Sequence, residues 1–311
     1  MRTVLELPAH YDFAGTLAPL CLGRADPAAR LSHTELWWAV RTPDGPATLH
    51  LRRNGDTAEA TGYGAGAGWV IEAADAIAGL HDDVRGFATL ADRHPVVRRA
   101  WHDRPGLRMT RTGRLFTHLL PTVLAQKVSG KEAFRSYAKI VRHFGEPAPG
   151  PLDGLLLPPD PARIAASPYW VFHPLGVEQK RADTLRRVAA VADRLEAAPD
   201  PATATARLTC LPGVGDWTAA EAVRPAYGDP DAVTVGDYNI PHHVGYALTG
   251  AARAGSRESA PGRISEADAR MLELLEPFAG QRARVVQLLM AATPAPPRFG
   301  PRMPLRSFAR F

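Results

Sequence analysis

The stretch LPGVGDWTAA, residues 211–220, places two glycines two positions apart directly after a proline. Pro212 cannot continue a preceding helix, and Gly213 and Gly215 permit backbone conformations and close approaches that other residues do not. The run DWTAAEAV that follows has a helical pattern, so the first N–H groups of a new helix are free to bind a phosphate. An ordinary helix hairpin with a glycine cap gives the same pattern, and the turn alone does not choose between the two interpretations.

An aspartate lies further along the chain, in the stretch VTVGDYNIPHH. Asp237 stands between Gly236 and Tyr238, in an apolar loop that leads toward another helix, and capping of that helix is one interpretation of its carboxylate. Together, LPGVGDWTA and VGDYNI resemble the signature of helix-hairpin-helix DNA glycosylases, in particular that of the 3-methyladenine DNA glycosylase II family.

Four other segments resemble that family in the same order along the chain. They are YDF near the N-terminus, RPGLRM at 104–109, LAQKVS at 124–129 and KRADTLRRVA at 180–189. The resemblance implies an α+β N-terminal antiparallel sheet domain followed by an all-α helix-hairpin-helix glycosylase core, with the active site in a cleft.

The resemblance also implies an activity, namely that of a monofunctional DNA glycosylase of base excision repair. Such an enzyme hydrolyses the N-glycosidic bond of alkylated purines, of the 3-methyladenine type, after they flip out of duplex DNA. Asp237 is then the candidate catalytic residue, because a carboxylate near C1′ stabilises an oxocarbenium-like transition state and can orient or deprotonate the attacking water. Relatives that also cut the strand carry a Schiff-base lysine two residues after the second glycine. Trp217 stands there in this chain, so we expect no lyase activity.

Trp217 is also the first candidate for the base pocket, because an indole can stack on an extruded, electron-poor base. Core packing is the alternative for this side chain. Tyr238 is a second candidate for the pocket wall, with the same alternative. The resemblance adds Glu221 and Met290, at positions where relatives often carry aromatic residues. Pro19 likewise stands where an N-terminal aromatic residue is often found. These departures predict a wider or more polar pocket, although Glu221 pointing to solvent is an alternative.

Contacts with DNA are predicted for the hairpin and for LAQKVS. The predicted residues are Gln126, Lys127, Ser129, Leu211, Gly213, Val214, Gly215 and Thr218. In the family, LAQKVS supplies the residue that fills the gap left by the flipped base, often an apolar wedge. Lys127 in this place indicates a stack-filling cation or a phosphate contact. The family also implies a monovalent cation, Na⁺ or K⁺, on the backbone carbonyls of Thr209, Leu211 and Val214, and we expect no other cofactor.

The elements that must position these residues divide the chain in two. The segments ELWWAVRT, PATLHLRR and AGWVIEAA predict strands of an antiparallel sheet, and IEAADAIAGLHDD predicts the start of a helix. From about residue 112 onward the hydrophobic pattern is helical, with short turns. We therefore predict an N-terminal domain over 1–98, a helical core over 99–292 and a tail rich in proline and arginine over 293–311. Four arginines of this tail are candidates for docking on the body or for touching DNA: Arg298, Arg302, Arg306 and Arg310.

Basic residues recur along one face of the helix that follows LAQKVS. They are Lys127, Lys131, Arg135, Lys139 and Arg142. A solvated face is the simplest interpretation, and the alternative is that its N-terminal end faces DNA. His242 and His243 lie shortly after Asp237, where phosphate contact and a structural role are both open.

The composition agrees with a soluble protein that has an anionic partner. The 311 residues carry a formal net charge of +5 and have a pI of about 9.5. The two cysteines exclude a four-cysteine metal site and argue against a disulfide scaffold, and we predict that both are buried thiols. Because no long apolar run and no signal-peptide pattern are present, we predict a cytoplasmic protein without membrane contact. We also expect it to be a monomer.

Two alternatives remain open beside the alkylated-purine glycosylase. The first is a glycosylase for bulky or oxidised base adducts, which the more polar pocket would permit. The second is a non-catalytic helix-hairpin-helix protein that only binds double-stranded DNA. A helical scaffold with a basic surface is a third possibility, but it explains neither the hairpin nor the tryptophan.

Overall fold

The computed structural model describes residues 1–252, 255–256 and 263–297. Its N-terminal part contains a five-stranded antiparallel sheet with the strand order β1-β5-β4-β3-β2. The strands are β1 (Arg2–Glu6), β2 (Ala29–Leu31), β3 (Glu35–Thr42), β4 (Gly45–Asn54) and β5 (Thr57–Tyr63). The arginine-rich part of the tail lies outside the described residues, and the domain limits drawn from the sequence stay a prediction.

The central hairpin of the sheet joins β3 and β4. Trp38 lies opposite Leu49, and Gly45 closes the turn with a φ of 113°. Leu36, Trp38 and Val40 alternate along β3 and all point into a buried cluster under the sheet. This period of two is the pattern from which the strand was predicted.

Two segments near the sheet differ from the prediction. AGWVIEAA does not form a strand, because Ala67–Glu72 is a helix, α2, that packs on β5. Its Val70 and Ile71 lie against Gly62, where a Cβ would approach both side chains to 3.0 Å. The strand β5 was not predicted because its sequence, TAEATGY, is rich in small residues with weak β-propensity, which this close helix contact requires.

The rest of the described chain consists of helices joined by turns and irregular segments. The helices before residue 150 are α1 (Phe13–Leu17), α3 (Ala74–Ile77), α4 (Phe87–Ala91), α5 (Pro95–Asp103), α6 (Leu115–Leu124) and α7 (Gly130–Phe144). Those after it are α8 (Pro161–Ala166), α9 (Tyr169–Phe172), α10 (Gln179–Ala190), α11 (Ala192–Glu196), α12 (Pro201–Thr209), α13 (Asp216–Tyr227), α14 (Ile240–Thr249), α15 (Glu266–Leu275) and α16 (Arg282–Ala292).

The helices surround two separate hydrophobic clusters. One lies among α6, α7 and α10 to α13, with Leu119, Val123 and Leu185 at its centre. The other lies among α4, α5 and α14 to α16, around Met271 and Leu288. The segment between α13 and α14 connects the two, so it is fixed from both sides. No helix in the described part of the chain is long and apolar enough to span a membrane.

The YDF and RPGLRM segments join the sheet domain to the helices. Tyr11 and Gly106 form a parallel bridge, and the amide of Asp12 donates to the Gly106 carbonyl at 3.0 Å. A Cβ at Gly106 would lie 1.7 Å from the His10 carbonyl oxygen, so only glycine fits. Arg104 donates to the Asp12 carboxylate at 2.8 Å. The role of these two segments is therefore structural, since their contacts fix the sheet domain against the helices.

His118 is a buried histidine on α6. Its Nε2 lies 2.8 Å from the Thr112 hydroxyl. Burial lowers the pKa of His118 to about 3, and the charge of Arg224 acts in the same direction. The folded state therefore holds this imidazole neutral at a pH where the unfolded chain already binds a proton.

We predict that acid destabilises the fold through His118. Below the ordinary histidine pKa of about 6.5, each pH unit should remove up to about 1.4 kcal/mol of unfolding free energy because only the unfolded state is protonated. Urea unfolding between about pH 7 and about pH 5 should show a shallower pH dependence for His118→Gln than for the wild type. Identical slopes for the two proteins would contradict the assignment.

Candidate functional site

The hairpin predicted from LPGVGDWTAA consists of α12, a tight turn and α13. The Leu211 amide donates to the Leu208 carbonyl, and the Val214 amide donates to the Leu211 carbonyl, each at 3.0 Å. Val214 is buried, which fixes the turn on the core. Gly215 is the N-cap of α13 and brings no side chain to its first amides. This end of α13 can therefore bind an anion.

The two glycines of the turn have different physical roles. Gly213 has a φ of 93°, and a Cβ there would lie 2.2 Å from the Thr184 hydroxyl of α10. Gly215 has an extended backbone, is exposed, and has no atom within 4 Å of a built Cβ. The fold thus requires glycine at Gly213, whereas at Gly215 it leaves open space toward solvent.

Gln126 ties the LAQKVS segment to the hairpin. Its Nε2 donates to the Gly213 carbonyl and to the Thr218 hydroxyl, both at 2.9 Å. On the other side of the turn, Arg187 donates to the Pro212 carbonyl at 2.7 Å. The hairpin turn is thus held by the turn between α6 and α7 and by α10, and a direct contact of Gln126 or Thr218 with DNA stays a prediction.

Lys127 is exposed in the short turn between α6 and α7, and its φ is 57°. In the described part of the chain, His10 is the other non-glycine residue with a positive φ. A left-handed conformation costs a side-chain-bearing residue about 1 kcal/mol or more, and it persists where the surroundings impose it. Ser129 provides such support, because its hydroxyl caps α7 at the Glu132 amide.

Arg181, from the KRADTLRRVA segment, supports this turn from below. Its side chain is almost fully buried, and Nη1 donates to the Leu124 carbonyl at the end of α6 at 2.7 Å. Glu178 and Glu132 lie 3.6 and 4.0 Å from the guanidinium. The segment that resembles the family therefore holds the Lys127 turn in place. The prediction that Lys127 shares one helical face with Lys131, Arg135, Lys139 and Arg142 is wrong for Lys127, because it lies in the turn before α7, whereas the other four are exposed on α7.

The Asp237 carboxylate accepts three hydrogen bonds. Oδ1 accepts the amides of Asn239 and Ile240 at 2.7 and 2.8 Å, which caps the start of α14. Oδ2 accepts the indole N–H of Trp217, at 3.0 Å, from the first turn of α13. Asp237 is only partly buried. The capping interpretation is thus correct, and it leaves the carboxylate accessible beside the hairpin.

The other pocket candidates lie at different distances from this centre. Glu221 is one turn after Trp217 on α13, and its Oε1 accepts from Arg224 at 2.8 Å and from Thr234 at 2.6 Å. Tyr238 is 60% exposed, directly after Asp237 in the chain. Met290 is 45% exposed on α16. The structure therefore brings Trp217 and Glu221 to the aspartate segment, and the pocket roles of all four residues stay predictions.

His243 and Asp268 support the site from α14 and α15. His243 is buried, and its Nε2 lies 3.1 Å from the Leu289 carbonyl and 2.9 Å from the Thr293 hydroxyl, so it joins α14 to α16. Asp268 is also buried, and its Oδ1 accepts the Gly236 amide at 2.9 Å. Asp268 was not predicted from the sequence. The Ser-x-x-Asp pattern from Ser265 to Asp268 indicates the N-cap of α15, and it was the one local feature that pointed to this residue.

The prediction of two buried thiols is wrong for Cys210. This residue is the C-cap of α12 and is exposed, because the turn directs it away from the core. Cys21 is half-buried, and burial raises the pKa of its thiol. The hairpin therefore carries an accessible thiol.

No group of three or more His, Cys, Asp or Glu residues that could hold a metal occurs among the described residues. Backbone carbonyls are the remaining donors at the hairpin. The Leu211 carbonyl accepts the Val214 amide and keeps a second lone pair for a cation. A monovalent cation on the carbonyls of Thr209, Leu211 and Val214 is compatible with this geometry and stays a prediction.

Comparisons with known proteins agree with this architecture. No protein-family model matches the chain. A curated protein of Mycobacterium tuberculosis, described as a probable bifunctional transcriptional activator/DNA repair enzyme AlkA, is 34% identical over 140 residues. The match covers 44% of this chain but only 28% of the relative's own length.

Two solved structures share the fold over nearly the whole chain. A 3-methyladenine DNA-glycosylase from Archaeoglobus fulgidus has a TM-score of 0.73 at 17% identity and covers 93% of this chain and 97% of that one. An 8-oxoguanine glycosylase/lyase from Clostridium acetobutylicum has a TM-score of 0.68 at 13% identity and covers 93% and 95%. These likenesses confirm the predicted fold class, a sheet domain followed by an all-α core.

We predict a large effect on stability at Gly213 and almost none at Gly215 for the same substitution. Gly213→Ser should lower the free energy of unfolding by about 2 kcal/mol or more, because of its positive φ and the contact with Thr184. Gly215→Ser should change it by less than about 0.5 kcal/mol, because serine suits an N-cap position. Denaturant unfolding measures both free energies. Equal losses in the two variants would show that the fold constrains Gly215 as strongly as Gly213.

Proposed function

We propose that this chain belongs to the helix-hairpin-helix DNA glycosylases related to 3-methyladenine DNA glycosylase II, and that it hydrolyses the N-glycosidic bond of alkylated purines in duplex DNA. The observation that carries the proposal is the Asp237 carboxylate, held beside the first turn of the hairpin helix by Trp217. Its role would be in base excision repair, on a base flipped out of the duplex.

Asp237 would act on the sugar and on the attacking water. Its two oxygens are fixed by hydrogen bonds from two amides and one indole, so the negative charge stays in place as positive charge develops at C1′. The same carboxylate can orient or deprotonate the water. An alkylated purine already carries a positive charge and leaves with little protonation, so one carboxylate suffices.

Release of the base without strand cleavage follows from Trp217. The lone pair of an indole nitrogen belongs to the aromatic ring and the group is not a primary amine, so a Schiff base with C1′ cannot form at this position. The 8-oxoguanine glycosylase/lyase with the same fold is described as a lyase as well, which makes this a specific point to test.

Duplex DNA would be held by the hairpin and by Lys127. The first amides of α13 would face a phosphate, and the open space at Gly215 allows the DNA backbone to approach. A monovalent cation on the hairpin carbonyls would add to this contact. Lys127, exposed on a strained turn, would enter the gap left by the flipped base or contact a phosphate. We propose further that the protein acts as a monomer in the cytoplasm.

A glycosylase for oxidised or bulky adducts is the second candidate. The observation in its favour is a polar group that consists of Glu221, one turn after Trp217 on α13, Arg224 further along the same helix, and Thr234 from the loop that follows. Such groups can hydrogen-bond a base substituent that an aromatic wall cannot.

We predict that the wild type releases free 3-methyladenine and 7-methylguanine from methylated duplex DNA, and that strands break only after alkali treatment. Asp237→Asn should lower the single-turnover rate by about 100-fold or more, because it removes the charge but keeps the side chain's shape. Chromatography of released bases and denaturing gels with and without alkali provide the measurement.

Three other results would change the assignment. Release from duplexes with 8-oxoguanine or bulky adducts, but not from methylated DNA, would favour the second candidate. Tight binding of duplex DNA without release of any base would indicate a non-catalytic binding protein. Full activity of Asp237→Asn would remove Asp237 from the catalytic role.

We predict that Gly215→Ser weakens duplex binding by about tenfold, since the serine side chain fills the space for the DNA backbone while the fold is kept.

Cys210 offers a second readout on the hairpin, because an added duplex should slow its reaction with iodoacetamide. Cys210→Ser identifies the reacting thiol, since Cys21 is half-buried with a raised pKa. Unchanged affinity in Gly215→Ser, together with unchanged Cys210 reactivity, would contradict the hairpin contact.

A further inference from the structure

The segment that carries Asp237 has no regular secondary structure of its own. It runs from the end of α13 to the start of α14, and Gly236 adopts a φ of 87° directly before the aspartate. A loop of this kind holds a side chain at a fixed place only where its backbone and neighbours are hydrogen-bonded to rigid elements. The Arg282–Asp231 ion pair attaches the earlier part of this loop to α16. Two further contacts lie within three residues of the aspartate.

The first contact is the buried carboxylate of Asp268 on α15. Its Oδ1 accepts the Gly236 amide at 2.9 Å, and its Oδ2 accepts the Ser265 hydroxyl at 2.6 Å. Ser265 in turn accepts the Asp268 amide at 3.1 Å as the N-cap of α15. Both oxygens are therefore engaged, and the residue adjacent to Asp237 is attached to the start of a ten-residue helix.

The second contact lies three residues before the aspartate. The buried Thr234 donates its hydroxyl to Glu221 Oε1 at 2.6 Å, and Arg224 donates to the same oxygen. Glu221 and Trp217 are one helical turn apart on α13. The segment is thus bound to α13 twice, through Thr234 and through Asp237 itself.

We infer that Asp268 and the Thr234–Glu221 pair are positioning residues that set the place of the Asp237 carboxylate, an inference that rests on the proposed function of Asp237. None of these side chains is assigned contact with the sugar or the water. Each binds the segment on a different side, so that α13 and α15 together determine where the carboxylate stands. A displacement of about 1 Å at a reacting group can lower a rate by about 100-fold.

Single-turnover excision and duplex affinity test the inference in Asp268→Ala and Thr234→Val. We expect the excision rate constant of each to fall by about tenfold or more, with the dissociation constant for duplex DNA within about twofold of the wild type. Asp268→Asn should restore most of the rate, because its amide oxygen can still accept the Gly236 amide. Glu273→Ala, an exposed position on the same helix, is the matched control and should have the wild-type rate.

A second readout is independent of activity. The indole N–H resonance of Trp217, assigned with Trp217→Phe, reports the hydrogen bond to Asp237 at 3.0 Å. We expect Asp268→Ala and Thr234→Val to shift it toward its position in Asp237→Ala, while Asp268→Asn and Glu273→Ala leave it in place.

The two readouts separate the inference from the function on which it rests. An unmoved Trp217 resonance and an unchanged rate in both variants would overturn the positioning role. A fall in rate that Asp268→Asn does not rescue, with the resonance unmoved, would overturn it as well. If the wild type releases no base at all, the proposed function fails, and the resonance alone still decides whether these residues hold Asp237.

Discussion

The hydrogen bond between the Trp217 indole and the Asp237 carboxylate, 3.0 Å long, joins the two halves of the helical core. Trp217 belongs to the hairpin helix, which packs in one hydrophobic cluster, whereas Asp237 caps α14 in the other. If the hairpin holds the DNA backbone, this bond sets the distance from the backbone to the carboxylate. Trp217 therefore has a second role beside stacking on a base, namely holding the Asp237 carboxylate in place. Its partly buried position is compatible with both roles.

Support from neighbouring residues is a general feature of this site. Gly213 must be glycine because α10 lies against it. At Gly215 no described atom lies within 4 Å of a built Cβ, so packing in the described part of the chain does not require glycine there. Lys127 holds a left-handed conformation because Arg181 and Gln126 fix the chain before it, while the Ser129 cap fixes the start of α7 after it. Lys127 and Gly215, which are proposed to meet DNA, are thus exposed, whereas Arg181, which supports the Lys127 turn, is buried.

The fold class and the helix hairpin could be predicted from the sequence, because proline, glycine and hydrophobic period act locally. Asp237 was singled out by the resemblance to a family, and its catalytic role stays a prediction. It did not allow β5 to be predicted, since Gly62 and its small neighbours are explained only by the packing of α2. The bond of Gly236 to Asp268 spans 32 positions and leaves no local pattern. Cys210 was predicted to be buried because the residue type usually is, and the direction of a turn decided otherwise.

In the proposed function, the Asp237 carboxylate stabilises the positive charge that develops at the sugar. The most direct test of this claim is the affinity for duplex DNA in which a cationic pyrrolidine replaces one deoxyribose, compared with a duplex that carries a neutral tetrahydrofuran at the same place. The wild type should bind the cationic duplex about 100-fold or more tightly than the neutral one, and Asp237→Asn should lose this preference. Equal affinity of the wild type for the two duplexes would contradict the claim.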